Sequence, residues 1–404
     1  MPGKVIDVIE DGRKVVLDYF GERRKVRNDF YQLSVGDYAY AQGGFVVQKV
    51  PPDEAAEALA VWKDYLDALE SIDMRLAEKG GSLRKRANFV RREATGNSAC
   101  VHGIIEFSNY CRNDCHYCGL RVSNKSVERY RMSEEEIVEA AGYAIENLGF
   151  RALVLQSGED TYYDGEKLSA IVSAIMRKHP VLIVVSIGEM DYEVYEKLYA
   201  AGARGALLRF ETSNGDLYKK YRPGHTLDER LGLIRRLKND GWIIMSGFIL
   251  GLPGATLSDI ASDIKLSYSL GVEMLSFGPL VPHPDTPLAS ATPPSFDETL
   301  DTIARARLMY PDMRILVTTA AETIGRAELS DDVEPIKAAL GSGANSVMIN
   351  LTPRKYSRLY SIYPGRDSDT ETIADEHIFF ENKIRKVVSV LRALGRAPTD
   401  LGTP

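Results

Sequence analysis

Cysteine is scarce in this chain: there are four in 404 residues, and none after Cys118. So few thiols exclude a disulfide framework and fit a reducing compartment, so a cytoplasmic protein is expected. Positive charge is not in excess either. The formal net charge is −7, which weighs against a protein built to grip phosphate backbones, and no nucleic-acid partner is expected. No apolar run approaches the roughly 18 residues that would span a bilayer, so no membrane partner is expected. The opening MPGKVIDVIEDG lacks a basic stretch followed by an apolar one and does not read as a signal peptide. No repeat of about 20–50 residues is evident. What is present is ordinary for a globular protein: 44 % hydrophobic and 26 % charged residues. The length allows two or three domains, or one large barrel with an appendage.

Three of the four cysteines are gathered in IIEFSNYCRNDCHYCGLR, residues 104–121. Cys111, Cys115 and Cys118 follow a C-x3-C-x2-C spacing, with Tyr117 just before the last. The apolar run 104–107 that leads in reads as a strand. Three thiolates on one tight loop can hold three irons of a four-iron cluster and leave the fourth iron open to a small molecule. The competing reading is zinc, but zinc sites usually close with four ligands, and Cys100 lies a strand away.

Residues 1–52 differ in texture from the rest. Short β-rich runs at 5–9, 14–20, 22–28, 38–41 and 45–50 are broken at Asp11-Gly12, Gly21, Gly36 and Gly43-Gly44. Strands so short and so closely spaced predict a small closed β-barrel. Pro51-Pro52 ends it, and Asp53 is placed to cap a helix over 54–69 with Trp62, Leu66 and Leu69 on one side. Residues 53–102 read as a helical connector. Its basic run LRKRANFVRRE at 83–93 admits a nucleic-acid patch, but a solvated helix face is the preferred reading.

From 103 onward apolar runs alternate with amphipathic ones. Strands are expected at 104–109, 152–157, 182–188, 205–212, 243–251, 274–282, 314–320 and 346–352. Eight strand–helix units predict an α/β fold: a (β/α)8 TIM-type barrel over 103–404 with the small N-terminal β-barrel appended. A doubly wound open sheet is the alternative. In a barrel, functional groups collect at the C-terminal strand ends. There the sequence places the cysteine loop, then Gln156, Ser157, Gly158, Glu159 and Asp160, then Arg209, Glu211 and Thr212, and later His283, Asp285, Thr318 and Thr319.

The cysteine loop resembles that of the radical S-adenosylmethionine (SAM) superfamily. The barrel resembles the HydE family of iron–iron hydrogenase maturases, which are relatives of biotin synthase and the methylornithine synthase PylB. The motifs that carry this are IEFSNYCRNDCHYCGLR, RYRMSEEEI, VLQSGED, LLRFET, ILGLPG, GPLVPHPDTPLA, VTTA and LTPRKYSRLYSIYPG. Residues 1 to about 70 resemble the HypC family, small chaperones of nickel–iron hydrogenase maturation, through PGKVIDV, VGDYAYAQGGFVVQKV and the helix that follows.

These resemblances imply a 4Fe-4S cluster on Cys111, Cys115 and Cys118, with Tyr117 beside it. They imply S-adenosyl-L-methionine held by Gln156, Ser157, Glu211, Arg230, Ile249 and Tyr360, with Arg230 on its carboxylate. Arg209, Thr318 and Thr319 would face the substrate. A 5'-deoxyadenosyl radical would attack a small anionic substrate, in work related to metallocofactor assembly. An electron donor such as ferredoxin or flavodoxin is implied, and a maturation partner could dock on the N-terminal domain. The alternatives are an amino-acid mutase like PylB and a cluster-binding scaffold without turnover.

Three departures narrow the family reading. His102 and Gly205 stand where the HydE family carries arginines of its anion-binding cavity, so a different substrate is expected, with His102 among the groups that meet it. No cysteine precedes the PGKV stretch, so the iron-carrying chemistry of HypC is not expected. With no cysteine after Cys118, one cluster is expected.

Overall fold

The structure is a computed structural model that describes residues 1–330, 334–366 and 375–398. Five strands, β1 (Gly3–Ile9), β2 (Lys14–Tyr19), β3 (Glu22–Arg27), β4 (Tyr38–Gln42) and β5 (Phe45–Val50), close into a small barrel in the order β1-β2-β3-β5-β4. Its core is the inward set Val5, Val15, Leu17, Val26, Ala39 and Val46. The helix that follows is Pro52–Leu76, longer at both ends than expected. Pro51 precedes its first turn, and Asp53 lies inside that turn rather than capping it. Proline is suited to that first turn because the missing N–H would have no helical partner.

The remaining strands are β6 (Ser98–Ser108), β7 (Ala152–Ser157), β8 (Leu182–Ser186), β9 (Gly205–Leu207), β10 (Ile243–Ser246), β11 (Ile249–Leu250), β12 (Met274–Leu275), β13 (Gly278–Pro279), β14 (Arg314–Val317), β15 (Ser346–Asn350) and β16 (Ala397–Pro398). β6, β7, β8, β9, β10, β12, β14 and β15 run parallel, and β15 closes on β6 with Asn350 opposite Ile104. This is the expected (β/α)8 barrel. β6 starts at Ser98, inside the stretch read as connector. The expected strands at 243–251 and 274–282 each break in two. The break falls at Gly247, where a Cβ would lie 2.0 Å from the Ser276 carbonyl oxygen. The two chains approach too closely there for any side chain, and they continue upward as the separate pair β11–β13.

The barrel interior is layered. Its lower part is apolar: Ile104, Ala152, Val154, Leu182, Val184, Ile243, Met245, Met274 and Leu316. Phe45 and Val47 of β5 belong to the same cluster. The small barrel is therefore a stopper in the lower mouth of the large one. Charged contacts surround the plug: Arg204 reaches Asp29 at 2.8 Å and lies over Phe30, and Arg27 also closes on Asp29. One layer above, the interior turns polar: Ser186, Gln156, Glu106 and Asn350 join in a hydrogen-bonded chain.

The basic helix, Leu83–Thr95, is not a free cationic face. Arg84 pairs with Asp297 and Asp301, and Arg91 is fully buried on Asp73. Among the described residues no helix is long and apolar enough to cross a membrane.

Candidate active site

The cysteine loop leaves the top of β6 and is held from every side. Asn109, just past the strand, donates to the carbonyls of Glu128 and Leu359 and accepts from the Tyr130 N–H. Arg129 donates to the carbonyls of Asn109, Leu120, Arg121 and Asn124. The Glu159 carboxylate accepts from Arg112 at 2.7 Å, Asn113 at 2.9 Å and the Glu189 N–H at 2.7 Å. Burial opposes ionisation of Glu159, but these donors outweigh it and hold its carboxyl below the usual range. Gly158 is required where it stands: a Cβ there would lie 2.1 Å from the Tyr110 carbonyl oxygen. The loop is thus shaped by contacts with the rest of the protein.

Cys111, Cys115 and Cys118 line one cavity at the top of the barrel. Burial pushes all three thiols up, most strongly Cys118, where the neighbouring thiols add to the effect. Such thiols become ligands only if strong positive charge compensates them. No three His, Cys, Asp or Glu side chains among the described residues converge on a single-ion site. Three thiols spread around one cavity suit a multi-iron cluster better than zinc, whose ligands close tightly around one ion.

The same cavity gathers most of the residues expected from the sequence. Tyr117, Gln156, Ser157, Arg209, Glu211, Arg230, Ile249 and Tyr360 all line it. Glu211 adopts a left-handed backbone, φ 65°, which is costly for a residue with a side chain and is found where surrounding structure enforces it. Here its N–H donates to the Gly247 carbonyl and its carbonyl accepts from the Ile249 N–H, while Arg209 pairs with its carboxylate at 3.1 Å. Arg230 is 3 % exposed, which rules out a surface ion pair; it contacts the Glu189 carboxylate at 2.9 Å and the Tyr218 hydroxyl at 3.3 Å.

Three expected residues stand apart. His102 is fully buried in the lower barrel, paired in register with Met348, and does not line the cavity. Burial, aided by Arg314, pushes its pKa down to about 3, so it is neutral. Thr318 caps the helix Thr319–Glu328 by accepting from the Ala321 N–H. Thr319 bonds Tyr363, and Tyr363 rather than the threonine meets the cavity. Nor is there open space beside Gly205: a Cβ there would lie 2.6 Å from Val184. The neighbouring Arg204 turns to the small barrel instead. His283 is structural, accepting from the Asp285 N–H next to the end of the cysteine loop.

Sequence reasoning missed a second set. Glu189, just past β8, gathers Arg222 at 3.1 Å, His225 at 3.1 Å and Arg230 at 2.9 Å. Glu106 and Arg366 form a buried bidentate pair behind Gln156 and Tyr360, which line the cavity. The strand-end rule that found Gln156 and Glu211 would also have found Glu189. Nothing local marks Arg222 or Arg366. Of the arginines that line the cavity, Arg209 and Arg222 have buried Nε groups with no hydrogen-bond partner among the described residues. Unpaired buried donors are costly, so these sites fit an anionic group brought by a ligand.

Comparison with known proteins agrees with this geometry. Residues 105–267 match the radical SAM superfamily, 1–62 the HupF/HypC family, and 276–375 the biotin and thiamin synthesis associated domain. The chain is 40 % identical to the [FeFe] hydrogenase maturase subunit HydE of Thermotoga maritima, over 78 % of this chain and 86 % of that protein. It is 29 % identical to 3-methylornithine synthase of Methanosarcina barkeri, over 77 % and 83 %. The crystal structure of methylornithine synthase (PylB) superposes with a TM-score of 0.67 at 27 % identity, covering 82 % of this chain and 92 % of that one. Enzymes of this superfamily use a 4Fe-4S cluster and SAM. With its three-thiol loop, its arginine-rimmed cavity and a HypC-like domain at one end, the chain belongs to the HydE-like family of radical SAM enzymes.

Proposed function

We propose that this enzyme cleaves SAM at a cluster held by Cys111, Cys115 and Cys118 and acts on a small anionic substrate in the upper barrel, in the service of metallocofactor assembly. When bound, the cluster and SAM supply a 5'-deoxyadenosyl radical. The chain's residues do the rest. Arg230 receives the SAM carboxylate, for which a planar guanidinium is the suited donor. Glu211 accepts from the polar hydroxyl groups of the cofactor, and Ile249 and Tyr360 pack on its adenosyl part. Gln156 and Ser157 line the path between cofactor and floor.

The observation that carries the anionic substrate is the set of buried guanidinium N–H groups without partners around the cavity. The apolar layer beneath, stoppered by Phe45 and Val47, keeps the substrate above the Glu106–Gln156 level, because burying a charge in that layer without a partner is too costly. His102 and Gly205 lie in or below that layer. The change of substrate expected from them thus becomes a shallower cavity, with Arg209 as the cation on its wall. The HypC-like domain and the similarity to a hydrogenase maturase support a maturation role, with a partner docking on the outward side of the small barrel.

A second reading, radical rearrangement of a free amino acid, is favoured by one feature. The Glu106–Arg366 pair, behind the cavity-lining Gln156 and Tyr360, places one charge of each sign beneath the site of a zwitterion. The test is anaerobic: reconstitute the cluster, reduce it with dithionite, add SAM and measure 5'-deoxyadenosine. Cleavage that rises with an anionic metal complex supports the first reading, and a rise with amino acids alone supports the second. No cleavage by an intact cluster refutes both.

A further inference from the structure

The segment after the helix Gly215–Tyr221 touches the cysteine loop at three points. The His116 N–H donates to the Tyr221 carbonyl at 2.9 Å. His225 Nε2 meets Asn113 Oδ1 at 3.0 Å. Between them, Arg222 Nη1 reaches the Tyr117 hydroxyl at 3.5 Å. The Arg222 side chain is 6 % exposed, and its other nitrogen, Nη2, binds Glu189 at 3.1 Å. Arg222 lines the same cavity as the three thiols.

Charge counting shows what this arrangement does. Glu189 carries one negative charge and is shared by two guanidiniums, Arg222 and Arg230. Arginine does not deprotonate in proteins. The hub therefore keeps one net positive charge, buried beside the thiols. Of the two guanidiniums, Arg222 is the one in contact with the cysteine loop.

We infer that Arg222 is a positioning residue for the iron–sulfur centre: it holds the cysteine loop and raises the reduction potential of the cluster, and Glu189 moderates that charge. This inference rests on the three-cysteine cluster of the proposed function. Reduction adds an electron to a buried centre. A fixed cation nearby stabilises the reduced form more than the oxidised form, and the low local dielectric enlarges the effect. A purely structural clamp would hold the loop without setting the potential.

The test is an EPR-monitored redox titration of the reconstituted full-length protein and its variants. Arg222→Gln should retain iron and sulfide content and shift the midpoint to more negative potential. Arg222→Lys, which keeps the charge, should stay near wild type. Glu189→Gln, which removes the moderating anion, should shift the midpoint in the opposite, more positive direction. Equal midpoints in all three variants, or shifts of the same sign for Arg222→Gln and Glu189→Gln, would overturn the inference. If Arg222→Gln assembles no cluster, the other two decide: a positive shift in Glu189→Gln with an unmoved Arg222→Lys supports it, and no shift in Glu189→Gln refutes it. A wild-type protein that binds no cluster would refute the three-cysteine reading, a separate failure.

Discussion

At the upper mouth of the barrel, buried guanidiniums face a cavity with donors to spare; at the lower mouth, Phe45 and Val47 fill the opening. The same eight strands build both ends. Above, Arg209, Arg222 and Arg366 keep N–H groups without partners among the described residues. Below, Arg27 and Arg204 both close on Asp29, and even His102 is held neutral. The polar chain of Ser186, Gln156, Glu106 and Asn350 lies between the two regimes. The upper arginines are ion-paired as well, Arg209 with Glu211, Arg222 with Glu189 and Arg366 with Glu106, so what sets the two ends apart is the space between the side chains: a cavity lined by Arg209, Arg222 and Arg230 above, and apolar packing below.

The strongest way to break this contrast is at the top. Cys115→Ala should abolish iron binding and 5'-deoxyadenosine formation while circular dichroism shows the fold retained. Retention of either activity would remove the cysteine loop from the site.

The next largest effect belongs to the bottom. Phe45→Ala empties the stopper and should cost about 3–5 kcal/mol in urea unfolding, with SAM affinity unchanged in isothermal titration. A large loss of SAM affinity would mean that the two ends are not separate.

Acid should act on the bottom as well. The folded pKa of His102, about 3, lies below its ordinary 6.5. Its contribution to stability is therefore present in full above about pH 6.5 and lost as pH falls toward 3. At about 1.4 kcal/mol per unit, roughly 3 kcal/mol should be lost by pH 4. His102→Asn should flatten that limb in denaturant midpoints measured from pH 7 to pH 4.5, and an unchanged limb would mean that other groups carry it.

The smallest expected change returns to the top. Arg230→Gln removes one charge-assisted contact and should weaken SAM binding by about 1.5–3 kcal/mol, roughly 10- to 100-fold in Kd. Unfolding midpoints should move little, because Glu189 keeps Arg222 and His225. Unchanged SAM affinity would take Arg230 out of the carboxylate role.

Much of this was legible before any coordinates. The five short strands of the N-terminal barrel end within one or two residues of where turn residues and β-branched runs put them. Seven of the eight barrel strands lie within the expected apolar runs, β6 starts six residues before its own, and eleven of the fourteen expected site residues line the cavity. The failures share a cause. His102 and Gly205 sit on a strand whose neighbours set the depth of each side chain, and the sequence does not number those layers. Thr318 and Thr319 lie at a strand end but turn into a helix cap and a tyrosine contact. Charged residues on a helix looked solvated by composition, yet Arg91 is buried because Asp73, eighteen residues earlier in the chain, folds back onto it.

Local chemistry alone determined the cysteine loop, the alternation of strands and helices, and the small β-barrel at the start, because spacing, periodicity and turn residues act over a few positions. Tertiary structure decided which end of the large barrel the small one closes, how deep the cavity runs, and that Arg222 and Glu189 belong beside the thiols. Those contacts join residues from 30 to more than 200 positions apart. They exist only once β15 has closed on β6 and fixed every strand's height relative to its neighbours.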